Sequence, residues 1–312
     1  ISITARCKGQ KVVIGDGYLM ERFHLEEVVD ADGRCTINPL MGSDGVDSNA
    51  VIENNKSGDD CPTSSSSIES HSCIRTRLVR YKQVEDGFSN PNAVVNISSL
   101  SWLSHQLKHI NINSQCPGDM LELYCGNGNH TVVLSKYLNQ GNSHAAGVEY
   151  NAATRPWRIL AVESNSSLCV VANENISLNC VDNVEILHCK SEQVTRSIIS
   201  LSKKLSSISS PCSIPDDGSV QSSEPQCTVS STERTLGPEH KGCCYLSKAT
   251  GIKYMFQVVL VDPPRCGLDH VTRQAVSKLP AILYISCNPE ALHRDLLEVG
   301  HDDNIVLLLC NN

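Results

Sequence analysis

Six short, mainly apolar runs recur along the second two thirds of the chain: DMLELY (119–124), RILAVE (158–163), VEILHC (184–189), QVVLVD (257–262), AILYIS (281–286) and NIVLLLC (304–310). Each is bounded by turn-forming residues, the pattern of strands buried in a parallel sheet. Between them lie stretches with helical character, at 93–110 (AVVNISSLSWLSHQLKHI), 130–138 and 166–179 (SSLCVVANENISLN). Strand and helix in alternation predict an α/β fold with a doubly wound, mostly parallel sheet.

Polar tracts interrupt this pattern. Residues 41–74 are acidic and serine-rich and cannot bury enough apolar surface to offset chain entropy, so a disordered insert is expected there. A Ser/Pro/Cys-rich tract at 203–250 reads as a surface insertion, with a smaller one around 140–156. Residues 1–40 hold a strand-like KVVIG ahead of GDGYLMERF, and Arg75, Arg77, Arg80 and Lys82 form a basic run. Those four cations read equally as phosphate contacts and as an ordinary solvated stretch.

Composition then narrows the classes. No apolar run approaches the ~20 residues of a membrane-spanning helix, so no membrane partner is expected. The first residues lack both an initiator Met and the apolar core of a signal peptide, which reads as a chain incomplete at its start. Sixteen cysteines in 312 residues without that signal imply reduced thiols and an intracellular protein, cytoplasmic by default with an organelle as the alternative. No Cys-x-x-Cys pair occurs, so neither a metal site nor an iron–sulfur cluster is expected. The net charge of −8 argues against indiscriminate nucleic-acid binding yet leaves room for a local basic face.

Three strand ends carry candidate chemistry. The first strand runs into Glu122-Leu123-Tyr124-Cys125-Gly126-Asn127-Gly128-Asn129, and glycines at a strand-to-helix turn let a ligand approach the backbone. The next strand ends in Glu163, suited to accepting ribose hydroxyl bonds. A nicotinamide site would place glycine at position 131, where this chain has Thr131. The spacing leans instead towards S-adenosylmethionine, and a tight packing turn is the plain alternative. Asp262-Pro263-Pro264-Arg265 ends the fourth strand; methyltransferases acting on amines put an aromatic residue after the prolines, and Arg265 departs from that. Ser286-Cys287-Asn288-Pro289 ends the fifth and sets Cys287 at the sheet edge where open α/β folds bind ligands.

Together LELYCGNGN, VDPPRCGLD, LYISCNP and QVEDGFSNPNAVVN resemble the tRNA (uracil-5-)-methyltransferase family, in its bacterial-type transfer-RNA branch, over roughly 80–200 and 253–300. The resemblance implies a Rossmann-like class I methyltransferase domain over 75–312 with a disordered insert at 203–250 and the last antiparallel strand missing. It makes 1–40 a remnant of an N-terminal RNA-recognition domain. It further implies S-adenosyl-L-methionine as cofactor, tRNA as partner, a monomer, and 5-methyluridine in the T loop as product. Cys287 is then the nucleophile, and Asn90, Tyr124, Asn129, Glu163 and Asp262 match cofactor-binding positions. Asn90 stands where the family usually has glutamine. The family's general base is a glutamate in a His-x-Glu segment beyond the sixth strand, absent from the residues up to Asn312, so the catalytic set is expected to be incomplete. Glu290 is the nearest carboxylate to Cys287 in sequence, and a place on the following helix suits it better. The alternative reading is a catalytically inactive RNA-binding or chaperone-like module of the same fold.

Overall fold

The computed structural model describes residues 3–7, 10–14, 18–29, 35–38, 73–84, 87, 92–109, 118–138, 157–208, 243–300 and 305–309. Asn90, nearly all of the 41–74 tract and the 140–156 tract lie outside them, and no helix among the described residues is long and apolar enough to cross a membrane.

The central sheet is built from β6 (Asp119–Leu123), β7 (Arg158–Glu163), β8 (Val184–His188), β10 (Lys253–Val261), β11 (Ala281–Ser286) and β12 (Ile305–Leu309). Its order is β12-β11-β10-β6-β7-β8, every neighbouring pair parallel, with the short β9 (Cys243–Leu246) antiparallel on the start of β10. The chain runs outward from β6 through β7 to β8, then returns to lay β10 on the other side of β6. That reversal opens a crevice at the carboxyl ends of β6 and β10, the place where doubly wound sheets hold ligands.

The period of two along each strand divides the core. Leu121, Leu123, Val259, Val261, Ile282 and Tyr284 face α4 (Ser191–Ile208), α5 (His270–Val276) and α6 (Pro289–Val299), meeting Val194, Ile198, Val276 and Leu292. Met120, Val258, Leu260 and Leu283 face the other way and meet Leu103 and Leu107 of α1 (Ala93–His109) and Leu134 of α2 (Asn129–Leu138). Side-chain caps fix where the helices start. Asn165 accepts from the amides of Ser167 and Leu168 to begin α3 (Ser166–Leu178), and Asn288 accepts from Glu290 and Ala291 to begin α6, with Pro289 in its first turn.

A second, antiparallel sheet of order β4-β3-β5 is made by β3 (Tyr18–Val29), β4 (Cys35–Asn38) and β5 (Cys73–Val84), and β1 (Ile3–Cys7) pairs with β2 (Gln10–Ile14). Phe23, Leu25, Val79 and Tyr81 pack on Ile97 and Leu100 of α1 and on Val132, Val133 and Ile176, so this sheet shares a core with the helices. The basic run is no irregular stretch but lies within β5, and the antiparallel sheet reaches past residue 74 into the segment assigned to the catalytic domain. The 203–250 tract is also narrower than its composition suggests. α4 continues to Ile208, and β9 buries Cys243, Cys244 and Tyr245, because an apolar CCYL run gains cover by adding to β10.

Candidate functional site

The turn after β6 is shaped by its glycines and by one strained residue. Gly126 and Gly128 have φ of 57° and 83°, and Tyr124 adopts φ 65°, a conformation that costs an L side chain roughly 1–2 kcal/mol. Backbone bonds from Cys125 to Val162 O (3.1 Å) and from Gly128 to Cys125 O (2.9 Å) hold the loop against β7. A Cβ added at Gly126 would meet nothing within 4 Å, so the space over the loop is open to a ligand.

Glu163 closes the loop from the side. One carboxylate oxygen accepts from the Gly126 amide at 3.0 Å and the other from the Asn165 amide at 2.7 Å. A carboxylate offers about four acceptor positions, so Glu163 orders the loop and keeps capacity for ligand hydroxyls. Asn129 opens α2 with its amide paired reciprocally to Asn96 of α1, at 2.7 and 3.1 Å. Its carbonyl accepts from the Tyr81 hydroxyl (2.5 Å), and Asn127 donates to Gln83 Oε1 at 2.6 Å. The antiparallel sheet thus buttresses the glycine loop through β5.

Glu122 is the residue the sequence motif left without a role. It is buried, and neither of its carboxyl oxygens nor the Thr131 hydroxyl makes a hydrogen bond of normal geometry. Burial pushes its carboxyl up to about 8; the Thr131 hydroxyl alongside offsets part of the rise and Asp262 adds to it. Asp262, one residue past β10 and half-buried, is raised by burial to about 7. Glu122 aligns with Leu260 across the β6–β10 pair, so it and Asp262 share one face of the sheet at the switch point. The signal available in the sequence was an acid inside an otherwise apolar strand, two residues before the loop.

Cys287 follows β11 directly and is half-buried. The next residue, Asn288, caps α6 and also donates to Arg265 O at 2.8 Å, which ties the cysteine loop to the Asp-Pro-Pro-Arg turn. Asp295 pins that turn from below: it is fully buried and accepts from the Leu268 amide and the Tyr284 hydroxyl, each at 2.7 Å. Glu290 is exposed in the first turn of α6. Tyr124 stands apart from the other candidates. Its side chain, with Pro264, Cys266, His270, Arg273 and Arg294, lines a cleft of about 480 Å³ that neither Glu163, Asp262 nor Cys287 borders. Its hydroxyl is pushed up to about 12 by burial and by Asp269.

Cys125, Cys169, Cys180, Cys189, Cys243, Cys244, Cys266 and Cys287 are free thiols, and no group of three or more His, Cys, Asp or Glu among the described residues is placed to hold a metal. The acidic groups that are present suit an organic cofactor with hydroxyls and a cationic end: an ordering carboxylate beside an open glycine loop, and two bare acids near the neighbouring strand ends.

Several known proteins are similar to this chain. The chain is 32% identical over 223 residues to a tRNA/tmRNA (uracil-C(5))-methyltransferase of a Nitratiruptor species, covering 70% of this chain and 44% of the relative. It is 29% identical over 235 residues to the protein of that name from Klebsiella pneumoniae, covering 74% and 46%. The chain thus spans about half the length of the curated relatives it matches. Among solved structures, Pyrococcus abyssi tRNA (uracil-54, C5)-methyltransferase in complex with S-adenosyl-L-homocysteine aligns with a TM-score of 0.39 and 19% identity, over 75% of this chain and 42% of that one. Residues 63–206 and 241–308 match the tRNA (Uracil-5-)-methyltransferase family, whose members use S-adenosyl-L-methionine. The match takes in the glycine loop, Glu163, Asp262 and Cys287, and with most of the chain inside it, this protein belongs to that family.

Proposed function

We propose that the chain carries the catalytic part of an enzyme that methylates carbon 5 of a uridine in tRNA, with the T loop as target, through a covalent bond between Cys287 and the base. One arrangement carries the reading: a thiol, two bare acids and an open glycine loop lie at the carboxyl ends of adjacent parallel strands, where a nucleoside cofactor and a base can meet.

S-adenosyl-L-methionine supplies an electrophilic methyl group when bound. Glu163 accepts the ribose hydroxyls, Gly126 leaves room for the adenosine, and Asp262 and Asn129 lie along the same crevice. Carbon 5 of uracil is a poor nucleophile by itself. The Cys287 thiolate adds to carbon 6, forming the S–C6 bond and moving the ring's C5=C6 electron pair into an enolate. Carbon 5 then takes the methyl group, and the sulfonium–methyl bond breaks to leave a neutral thioether. A base removes the proton on carbon 5, the C5=C6 bond re-forms and Cys287 departs as thiolate. A stacked base reaches the thiol only after being flipped out of its loop.

The test uses T-loop RNA carrying 5-fluorouridine with S-adenosylmethionine. Fluorine cannot leave as a proton does, so methylation stalls at the covalent stage. The protein is expected to form a denaturant-stable RNA adduct that is absent in Cys287→Ala. An equal adduct in Cys287→Ala, or none in either, would refute the cysteine mechanism. The second outcome with tRNA still bound favours the inactive RNA-binding module.

A further inference from the structure

The antiparallel sheet has two unlike faces. Phe23, Leu25, Val79 and Tyr81 turn inward. The alternate residues of the same strands turn outward, and among them Arg22, His24 and Arg80 are exposed. Arg22 and Arg80 are direct cross-strand partners. The Arg80 amide is committed elsewhere: it donates to Asn179 Oδ1 at 3.1 Å, while Asn179 Nδ2 donates back to Arg80 O at 2.7 Å. Asn175 treats Lys82 in the same way, accepting from its amide at 2.7 Å and donating to its carbonyl at 3.2 Å. The backbone of Arg80 therefore points away from β3, and Arg22 and Arg80 form a non-hydrogen-bonded pair, the register that brings facing side chains closest.

Like charges directly opposite destabilise a ladder. Neither guanidinium has an acidic partner among the described residues. Lys82, beside them, is held by Glu174 at 2.6 Å and lies 4.6 Å from the centre of the Tyr18 ring. Among the described residues, these two adjacent guanidiniums on an exposed sheet face thus have their donors available to an anion. Arginine forks match phosphate oxygens, and their close spacing suits one backbone phosphate or two consecutive ones. We infer that the outer face of the β3–β5 ladder, centred on Arg22 and Arg80, docks the phosphate backbone of the RNA substrate. This rests on the RNA reading above and adds the surface that positions it. The alternate residues of β5, Tyr81 and Gln83, hold the glycine loop at Asn129 and Asn127, so the strand that would dock the backbone on one face braces the cofactor loop with the other.

The experiment measures tRNA affinity between about 50 and 200 mM salt for wild type, Arg22→Gln/Arg80→Gln and Arg196→Gln. The last removes an exposed arginine on α4 that is already paired with Glu192. Each lost phosphate contact lowers the slope of log K against log salt by about 0.7–0.9. The double variant is expected to bind at least about 10-fold more weakly at low salt, with a slope shallower by about 1.5, and Arg196→Gln to match wild type. An unchanged thermal midpoint in the double variant shows that the loss is not unfolding. Wild-type affinity and slope in a folded double variant would overturn the proposal, as would an equal loss in Arg196→Gln. The 5-fluorouridine adduct, formed at saturating RNA, separates the two readings: an adduct with an unchanged slope removes this surface alone, and a changed slope without any adduct removes the methylation chemistry alone.

Discussion

Asp119 and Glu122 sit three residues apart on β6, and both are closed off from solvent, at 0% and 1% exposure. Their surroundings are opposite. Asp119, at the amino end of the sheet, accepts two bonds from Arg158, each at 2.9 Å, and one from the Met255 amide at 2.7 Å. Arg158 goes on to Lys253 O and lies over the Tyr254 ring. Glu122, at the carboxyl end, has no such donors, and Asp262 beside it is raised as well. The adjoining glycines repeat the contrast. A Cβ at Gly118 would come within 2.5 Å of Trp157 and Gln257, whereas one at Gly126 would meet nothing within 4 Å. One end of the strand is sealed for stability, and the other is left open with its polar groups unspent, which is where a ligand can supply what the protein withholds.

The largest effect expected from this contrast is at the sealed end. Asp119→Ala strips Arg158 of its carboxylate and leaves the Met255 amide unpaired in the interior. Removing one member of such a pair costs about 3–5 kcal/mol, read as a lower denaturation midpoint in urea. A loss well under about 1 kcal/mol, the level of a surface pair, would show that the seal is not structural.

Glu122→Gln tests the open end and depends on pH. The fold raises this carboxyl from 4.5 to about 8, so folding binds a proton between those values. The stability it contributes is complete below about pH 4.5 and is lost as pH rises through 8. The glutamine variant cannot ionise. It should match wild type near pH 5 and exceed it near pH 9 by several kcal/mol, up to about 5 for a rise of this size at about 1.4 kcal/mol per pH unit. Parallel stability profiles for the two proteins would mean that Glu122 is paired after all.

The two ends also differ in how far the sequence revealed them. The strands of the parallel sheet were legible because residues buried on both faces read as apolar runs; β7 and β11 begin and end where their runs do. The strand-end placement of Glu163, Asp262 and Cys287 was legible for the same reason, since they immediately follow or close such runs. β10 begins earlier than its run, at Lys253, because the added residues alternate in burial where they pair with β9. β5 was hidden by composition: its arginines suggested a solvated segment, and only the alternation of Val79 and Tyr81 with Arg80 and Lys82 marks a strand with one basic face. The amides that join β5 to α3 and to the glycine loop bridge residues up to 99 apart in sequence. No local pattern announces a contact of that range. Tyr124 shows a further limit, because neither its left-handed backbone nor its place on a second cleft is written in the local sequence pattern.

The smallest expected change in stability comes from Gly126→Ala, and it is the most diagnostic. The methyl group meets no protein atom, so the cost is that of φ 57° for a residue with a Cβ, about 1 kcal/mol. Gly118→Ala faces the ring of Trp157 instead and should cost more, about 1–3 kcal/mol. Ligand binding should reverse that order. The space over Gly126 belongs to the cofactor in the proposed site, so S-adenosylhomocysteine should bind Gly126→Ala at least about 10-fold more weakly, the tenfold being about 1.4 kcal/mol. Gly118→Ala, at the far end of β6, should bind it as wild type does. Isothermal titration on both folded variants decides the matter: equal losses at the two glycines would erase the distinction between a sealed and an open end, and a loss confined to Gly126 would fix the crevice on the β6 loop.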